Sequence, residues 1–207
     1  DVDVALFQVA YDQDGVLRLG PNVDFIEAAL RSAKVRIAEL NQSLVAPLGS
    51  MSIDPKEIDC LYESERVLYE MPSPKLDEPA LAIGSLVSEL IVDGSCIQTG
   101  IGAIPTAILS QLSNKNDLGM HGGLIDDAGM HLIQEGNLSG RVKTIDRELH
   151  VVGMALGSQN LYEWLAAQES VVFRGANYTH EVGVISQLDD FVSINSALEI
   201  DLYGQIN

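Results

Sequence analysis

The residues best suited to chemistry fall in two short runs. The first is Gln98-Thr99-Gly100-Ile101-Gly102-Ala103-Ile104-Pro105, set between an apolar run that reads as a strand and one that reads as a helix. Its two glycines let backbone N–H groups come close to a ligand, and Pro105 suits the first turn of a helix. The positive end of that helix dipole would face the loop, so its favoured occupant is anionic or electron-rich. The same residues also make a tight turn that holds nothing, and spacing alone leaves both readings open. The second run is His121-Gly122-Gly123 with Asp126-Asp127 behind it. His121 closes an expected strand, Gly122-Gly123 reads as a second glycine turn, and the two aspartates stand where a cap and a first-turn acid stand. Ligands of an open α/β sheet collect at the carboxyl ends of its strands, so both turns are expected to line one crevice. His121 is then either a proton carrier or a strand-end histidine bonded to backbone. Asp126 and Asp127 are helix caps, of which one can also face the crevice.

Other chemistries lack their residues. Pro105 replaces the third glycine of a dinucleotide fingerprint, and no acid ends a following strand at the required distance. There is no Gly-Lys-Ser/Thr of a P-loop and no G-x-S-x-G elbow. His121 and His131 lack metal-ligand spacing, as do Cys60 and Cys96, so no metal is expected. Trp164 and Tyr162 fit a helix face packed on a sheet. The net charge of −18 opposes nucleic acid and anionic membrane surfaces and reads as a solvated acidic surface. An anionic substrate must therefore be held by local helix termini and N–H groups. No apolar run approaches the ~20 residues that span a bilayer. With no leader or basic targeting segment in view, the cysteines are expected to be reduced, buried thiols in a cytoplasm.

The surrounding elements follow from periodicity. Residues 1–7 alternate as a strand, and Asp14-Gly15 turns the chain into a second strand over Val16–Leu19, giving a hairpin. Ile26, Ala29, Leu30, Ala33 and Ile37 predict one amphipathic helix over about Val23–Leu40. Leu44–Pro55 is loop-like and Ile58–Tyr62 a short strand. Prolines 72, 74 and 79 mark a linker, and the domain boundary is placed at 74/75. Beyond it a helix ending before Asp93-Gly94 and a strand over Ser95–Gln98 lead to the glycine turn and a helix over about Pro105–Leu112. A strand over Asp117–His121 follows, then a helix from the aspartates to Glu135, stopped by Gly136. Next come a strand over Glu148–Met154, a helix capped by Ser158, a strand over Val171–Phe173 and an alternating run over Phe191–Leu202. Strands alternating with helices after residue 80 indicate an α/β domain with a largely parallel sheet. Neither end has terminal character, which predicts a longer parent chain.

The motifs are more specific than their physics. Ile91-Val92-Asp93-Gly94 through Gln98–Pro105, Leu118-Gly119-Met120-His121, Asp127, Gly157-Ser158 with Leu161-Tyr162, and Val192 through Ile206 together resemble the acetyl-CoA hydrolase/transferase family, which includes 4-hydroxybutyrate CoA-transferases. The first segment fits as well, from Ala5-Leu6-Phe7-Gln8-Val9 to Glu39-Leu40-Asn41. The resemblance covers nearly the whole chain. It implies two CoA-transferase-type (NagB/RpiA-like) α/β domains with mostly parallel sheets, only part of the first being present. Residues 1–74 would be the end of the first domain and the linker, and 75–207 most of the second. It also implies a homodimer or higher homo-oligomer, acyl-CoA and a small carboxylate as partners, and coenzyme A as substrate and product, with no nicotinamide or flavin. Gly100, Ile101, Gly102, Ala103, Ile104 and Pro105 would then be the CoA-binding loop, suited to supply the oxyanion hole of a thioester reaction.

The family's nucleophile is a glutamate two residues after the strand-closing histidine. That position here is Gly123, which has no side chain to attack with, and Asp126 is extra relative to the pattern. Three readings follow. A transferase or hydrolase could use another nucleophile or base, with Asp126 the first candidate and His121 the second. The chain could bind CoA without catalysis. Or Gly123 could leave a transferase damaged but recognisable. The first is preferred, because the other motifs are intact and the paired aspartates stand beside the missing glutamate.

Overall fold

A computed structural model describes residues 2–207. Strand β1 (Val2–Tyr11) turns at Gly15, whose φ is 78°, into antiparallel β2 (Leu17–Leu19). The buried Asp12 holds this turn. Its carboxylate accepts from the N–H groups of Asp14 and Val16 and from Arg18 Nε at 2.6 Å. The hairpin is as expected, except that Asp1 lies outside the described residues.

The expected helix over 23–40 divides instead into α1 (Ile26–Ser32) and β3 (Ala33–Asn41). Ala33, Val35 and Ile37 alternate with Lys34 and Arg36, so the run satisfies period two as well as the helical spacing. Strand β1 decides between them: Val4 pairs with Val35 and Leu6 with Ile37 in a parallel ladder, where β-branched residues fit well. Strand β4 (Cys60–Ser64) adds to β3, giving the order β2-β1-β3-β4. Cys60, expected to be buried, is exposed on this edge strand, whereas Cys96 is buried.

Past the proline-rich coil, Asp77 caps α2 (Glu78–Ser88) by accepting from Ala80 N. There follow β5 (Cys96–Thr99), α3 (Ala103–Leu109), β6 (Gly119–Ile125), α4 (Asp127–Gln134), β7 (His150–Ala155), α5 (Gln159–Leu165), β8 (Val171–Phe173), α6 (Ala176–Thr179), α7 (Val182–Ile185) and β9 (Phe191–Ile194). These strands form one parallel sheet in the order β8-β7-β6-β5-β9. The chain leaves β5 toward β6 on one side and returns as β9 on the other. The β5/β9 boundary is therefore the topological switch point, outside which ligands of such sheets bind.

Two further expectations change. Gly122 and Gly123 do not form a turn; they lie inside β6, which runs on to Ile125. The alternating run over 191–202 forms a strand only to Ile194, because its partner β5 ends at Thr99 and Gly100 N takes the Ile194 carbonyl. Residues 198–207 instead fold on themselves, with Ile200 bridged to Ile206. The short helices α6 and α7 carried too few residues for a periodic signal.

The two sheets share one contiguous cluster of buried apolar side chains, from Phe7 and Leu19 to Ile125 and Leu161. Their seam is backbone. Val23 N and Asp24 N donate to Gly153 O, Ala155 N to Pro21 O, and Phe173 N to Gly49 O.

Candidate functional site

The first glycine turn sits at the switch point. Gly100 N donates to Ile194 O at 3.1 Å, which ties the turn to the end of β9. Gly102 has φ 115° and ψ −176°, a conformation open in practice to glycine alone. No side chain caps α3, so the N–H groups of its first turn are left to water or a ligand. Pro105 lies within that turn, as expected. Gln98 holds the neighbouring strands, its Oε1 accepting from Ser193 Oγ at 2.6 Å and Asn195 Nδ2 at 3.2 Å.

Asp126 caps α4, its carboxylate accepting from Gly129 N at 2.9 Å. Burial pushes this carboxyl above the usual range; the Gly129 N–H opposes the shift and the charge of Asp127 adds to it. Asp127 has a different task. It accepts from Ser158 N at 2.9 Å and from Ser158 Oγ, while Ser158 caps α5, so it ties α4 to α5. A cavity of about 130 Å³ lies between these groups, lined by Pro72 and Pro74 of the linker, Ile101 and Gly102 of the turn, Asp126, Asp127 and Gly157. The glycine turn and the paired aspartates thus meet at this cavity, whereas the second glycine turn expected to line the same crevice does not form and Gly122-Gly123 do not border it.

His121 does not join them. Met120 faces α4, where its methyl lies beside Gly129, and the next residue in a strand faces the other way. His121 is fully buried under α6, its ring 5.8 Å from that of Tyr178, and neither ring nitrogen has a hydrogen-bond partner. Burial first, and then the charge of Lys143, hold its pKa below the ordinary value, with Asp146 opposing.

The paired glycines of β6 make room for two side chains on opposite faces. A Cβ on Gly122 would meet Gln98 Cγ at 2.6 Å. A Cβ on Gly123 would meet His180 Cε1 at 3.0 Å and Nε2 at 3.3 Å. The neighbouring strand is also bare here. A Cβ on Gly153 would lie 3.0 Å from Gly123 O and 3.3 Å from Asp24 Oδ1. His180 is exposed, and its Nδ1 is 2.8 Å from the hydroxyl of the buried Thr179. Asp24 carries φ 23°, outside the usual regions for a side-chain-bearing residue. Sequence reasoning missed both groups. Their one local signal is that His180 follows the carboxyl end of an expected strand.

The comparisons with known proteins agree with this architecture. Residues 157–207 match the family model described as acetyl-CoA hydrolase/transferase C-terminal domain. The 4-hydroxybutyrate coenzyme A transferase of Clostridium kluyveri is 38% identical over 206 residues, covering 99% of this chain and 48% of the relative. The butyryl-CoA:acetate CoA-transferase of Anaerostipes caccae is 33% identical over 220 residues, 100% of this chain and 48% of the relative. The crystal structure of RipA from Yersinia pestis superposes with a TM-score of 0.93 at 32% identity, covering 99% of this chain and 47% of that one. The chain spans about half the length of the curated relatives it matches.

Proposed function

Because this chain belongs to the acetyl-CoA hydrolase/transferase family, we propose that it carries thioester chemistry on acyl-CoA, either transfer of CoA to a small carboxylate or hydrolysis. The observation that carries this reading is the meeting of the Gly100–Pro105 turn with Asp126 at one cavity beyond the carboxyl ends of β5, β6 and β7. Gly100, Ile101, Gly102, Ala103, Ile104 and Pro105 hold the thioester end of CoA, and the N–H groups of Ile101 to Ile104 receive the oxyanion, Gly100 N being held by Ile194 O and Pro105 having no N–H. A volume of about 130 Å³ suits a short acyl chain rather than a nucleotide, since pockets for larger ligands run to roughly 300–1,000 Å³. CoA is substrate and product, and no metal, nicotinamide or flavin takes part. The protein acts in the cytoplasm as a homodimer or higher homo-oligomer, with its two domains divided at 74/75.

With Gly123 in the place of the expected glutamate, the nucleophile or base is another group. Of the two candidates, Asp126 is favoured over His121. Asp126 faces the cavity, and its raised pKa brings it nearer to the value wanted of a general base at neutral pH. His121 is sealed under α6. Asp126 would take a proton from water as the oxygen bonds to the acyl carbon.

Asp126→Asn tests this assignment, because asparagine caps a helix about as well as aspartate and cannot act as a base. Turnover of short acyl-CoAs is expected to fall by about 10²-fold or more with the melting temperature preserved. Full activity would remove Asp126 from the chemistry.

A further inference from the structure

Residues Tyr69–Met71 of the proline-rich coil cross the chain just past β7 as a strap. Met71 N donates to Gly157 O at 3.0 Å, Tyr162 Oη donates to Tyr69 O at 2.9 Å, and the Glu70 carboxylate accepts from Gln159 N at 3.0 Å. On the Met71 side of the strap lies the cavity of about 130 Å³ that Gly102 and Asp126 line. On the Tyr69 side, in the seam between the two sheets, lies a groove of about 350 Å³ walled by Leu6, Ile26, Leu68 and Met154, with Gln8 and Asn22 as its polar groups. Among the described residues, Leu156 alone borders both spaces. Its main chain is held, because Leu156 N donates to Ile125 O at 3.1 Å, so its side chain can be cut back with the backbone in place.

We propose that Leu156 is the end wall of the acyl pocket and limits the substrate to short acyl chains, acetyl to butyryl. The assignment rests on the thioester reading above. With the acyl carbon between Gly102 and Asp126, two directions are open to the tail. Past Thr106 and Ala128 the cavity meets a groove between α3 and α4 that carries Ser110, Ser113, His131 and Glu135 beside Leu109 and Leu132. A hydrocarbon tail there would take water from polar groups without replacing it. The other direction leads along Ile101 and Met71 to Leu156, an apolar path on which each buried methylene is favourable. A group the size of a water takes up about 30 Å³, so the cavity has room for about four of them, the length of a butyryl chain. A longer tail meets the Leu156 side chain. Cutting that side chain back opens the seam groove behind it, whose apolar wall can take the additional methylenes.

The test is a chain-length profile measured on the full chain. Wild type, Leu156→Ala, Leu156→Phe, Leu6→Trp and the double variant Leu156→Ala with Leu6→Trp are assayed for kcat/KM on acetyl-, butyryl-, hexanoyl- and octanoyl-CoA. Wild type is expected to prefer butyryl-CoA to octanoyl-CoA by about 10²-fold, since even one methylene too many in an apolar pocket costs about tenfold or more. Leu156→Ala should lower that ratio by about tenfold or more. Leu156→Phe should keep acetyl-CoA and lose butyryl-CoA. Leu6 is exposed on β1 and lines the groove, so Leu6→Trp fills it; alone it should leave the profile as in wild type, and in Leu156→Ala it should restore the wild-type ratio. Damage to the fold would lower all four substrates alike and would not be reversed by a distant tryptophan, with thermal melting as the control. An unchanged ratio or a uniform loss in Leu156→Ala with butyryl-CoA retained by Leu156→Phe, or a wild type that accepts octanoyl-CoA as well as butyryl-CoA, overturns the assignment while leaving the thioester reading in place. A wild-type protein that turns over none of the four overturns both.

Discussion

Replacing Gly102 by valine is expected to cut acyl-CoA turnover by about 10²–10³-fold, the usual cost of losing an oxyanion donor. The argument rests on backbone rather than space. No heavy atom lies within 4 Å of where a Cβ would stand, so a side chain fits without collision. The conformation does not fit, because φ 115° with ψ −176° is left almost entirely to glycine, and a substituted residue holds it only at a cost of about 1–3 kcal/mol. The turn is exposed on one side and relieves that strain by rotating its peptides. Rotation turns the N–H groups away from the acyl oxygen. The effect should therefore appear in kcat/KM for acyl-CoA with little change in melting temperature. Unchanged turnover would mean that the turn does not hold the thioester.

The largest stability effect is expected at Gly49. A Cβ there would stand 1.9 Å from Val171 O, 2.8 Å from Val171 C and 2.9 Å from Val172 Cα. All three are backbone atoms of β8, so no rotamer change can clear them. Gly49 O also accepts from Phe173 N at 2.9 Å, so the chain cannot withdraw without losing that bond. Gly49→Ala should destabilise by roughly 3 kcal/mol or more, the upper range for overpacking. For a chain of this size that lowers the melting temperature by on the order of 10 °C. A melting temperature within about 2 °C of wild type would show that the loop and β8 do not meet.

What the sequence made legible was local. Asp14-Gly15 marked the hairpin, and Asp126 and Ser158 marked helix caps, because each of those devices is completed within four residues. The parallel sheet followed from strands alternating with helices. What failed depended on distant partners. Ala33–Asn41 satisfies two periods, and only pairing with β1 selects the strand. Gly122-Gly123 looks like a turn because glycines usually mark one. Their actual reason is the approach of Gln98 on one face and His180 on the other, neither of which is adjacent in sequence. Period two indicates that His121 and Met120 face opposite ways but not which of them faces α4. Asp24 and His180 converge on the β6 and β7 glycines only after both sheets have packed together, so the sequence offers nothing local for Asp24 and for His180 only its place after an expected strand.

The central claim, that this fold carries acyl-CoA thioester chemistry without a glutamate at position 123, is tested most directly by following acetyl-CoA and butyryl-CoA with the full chain, with and without acetate as acceptor. The expected result is turnover. Free CoA appearing without acceptor identifies hydrolysis, and butyryl-CoA converted to acetyl-CoA only with acetate identifies transfer. Tight binding of CoA with neither free CoA nor exchanged acyl-CoA would contradict the claim and leave a binding protein in its place.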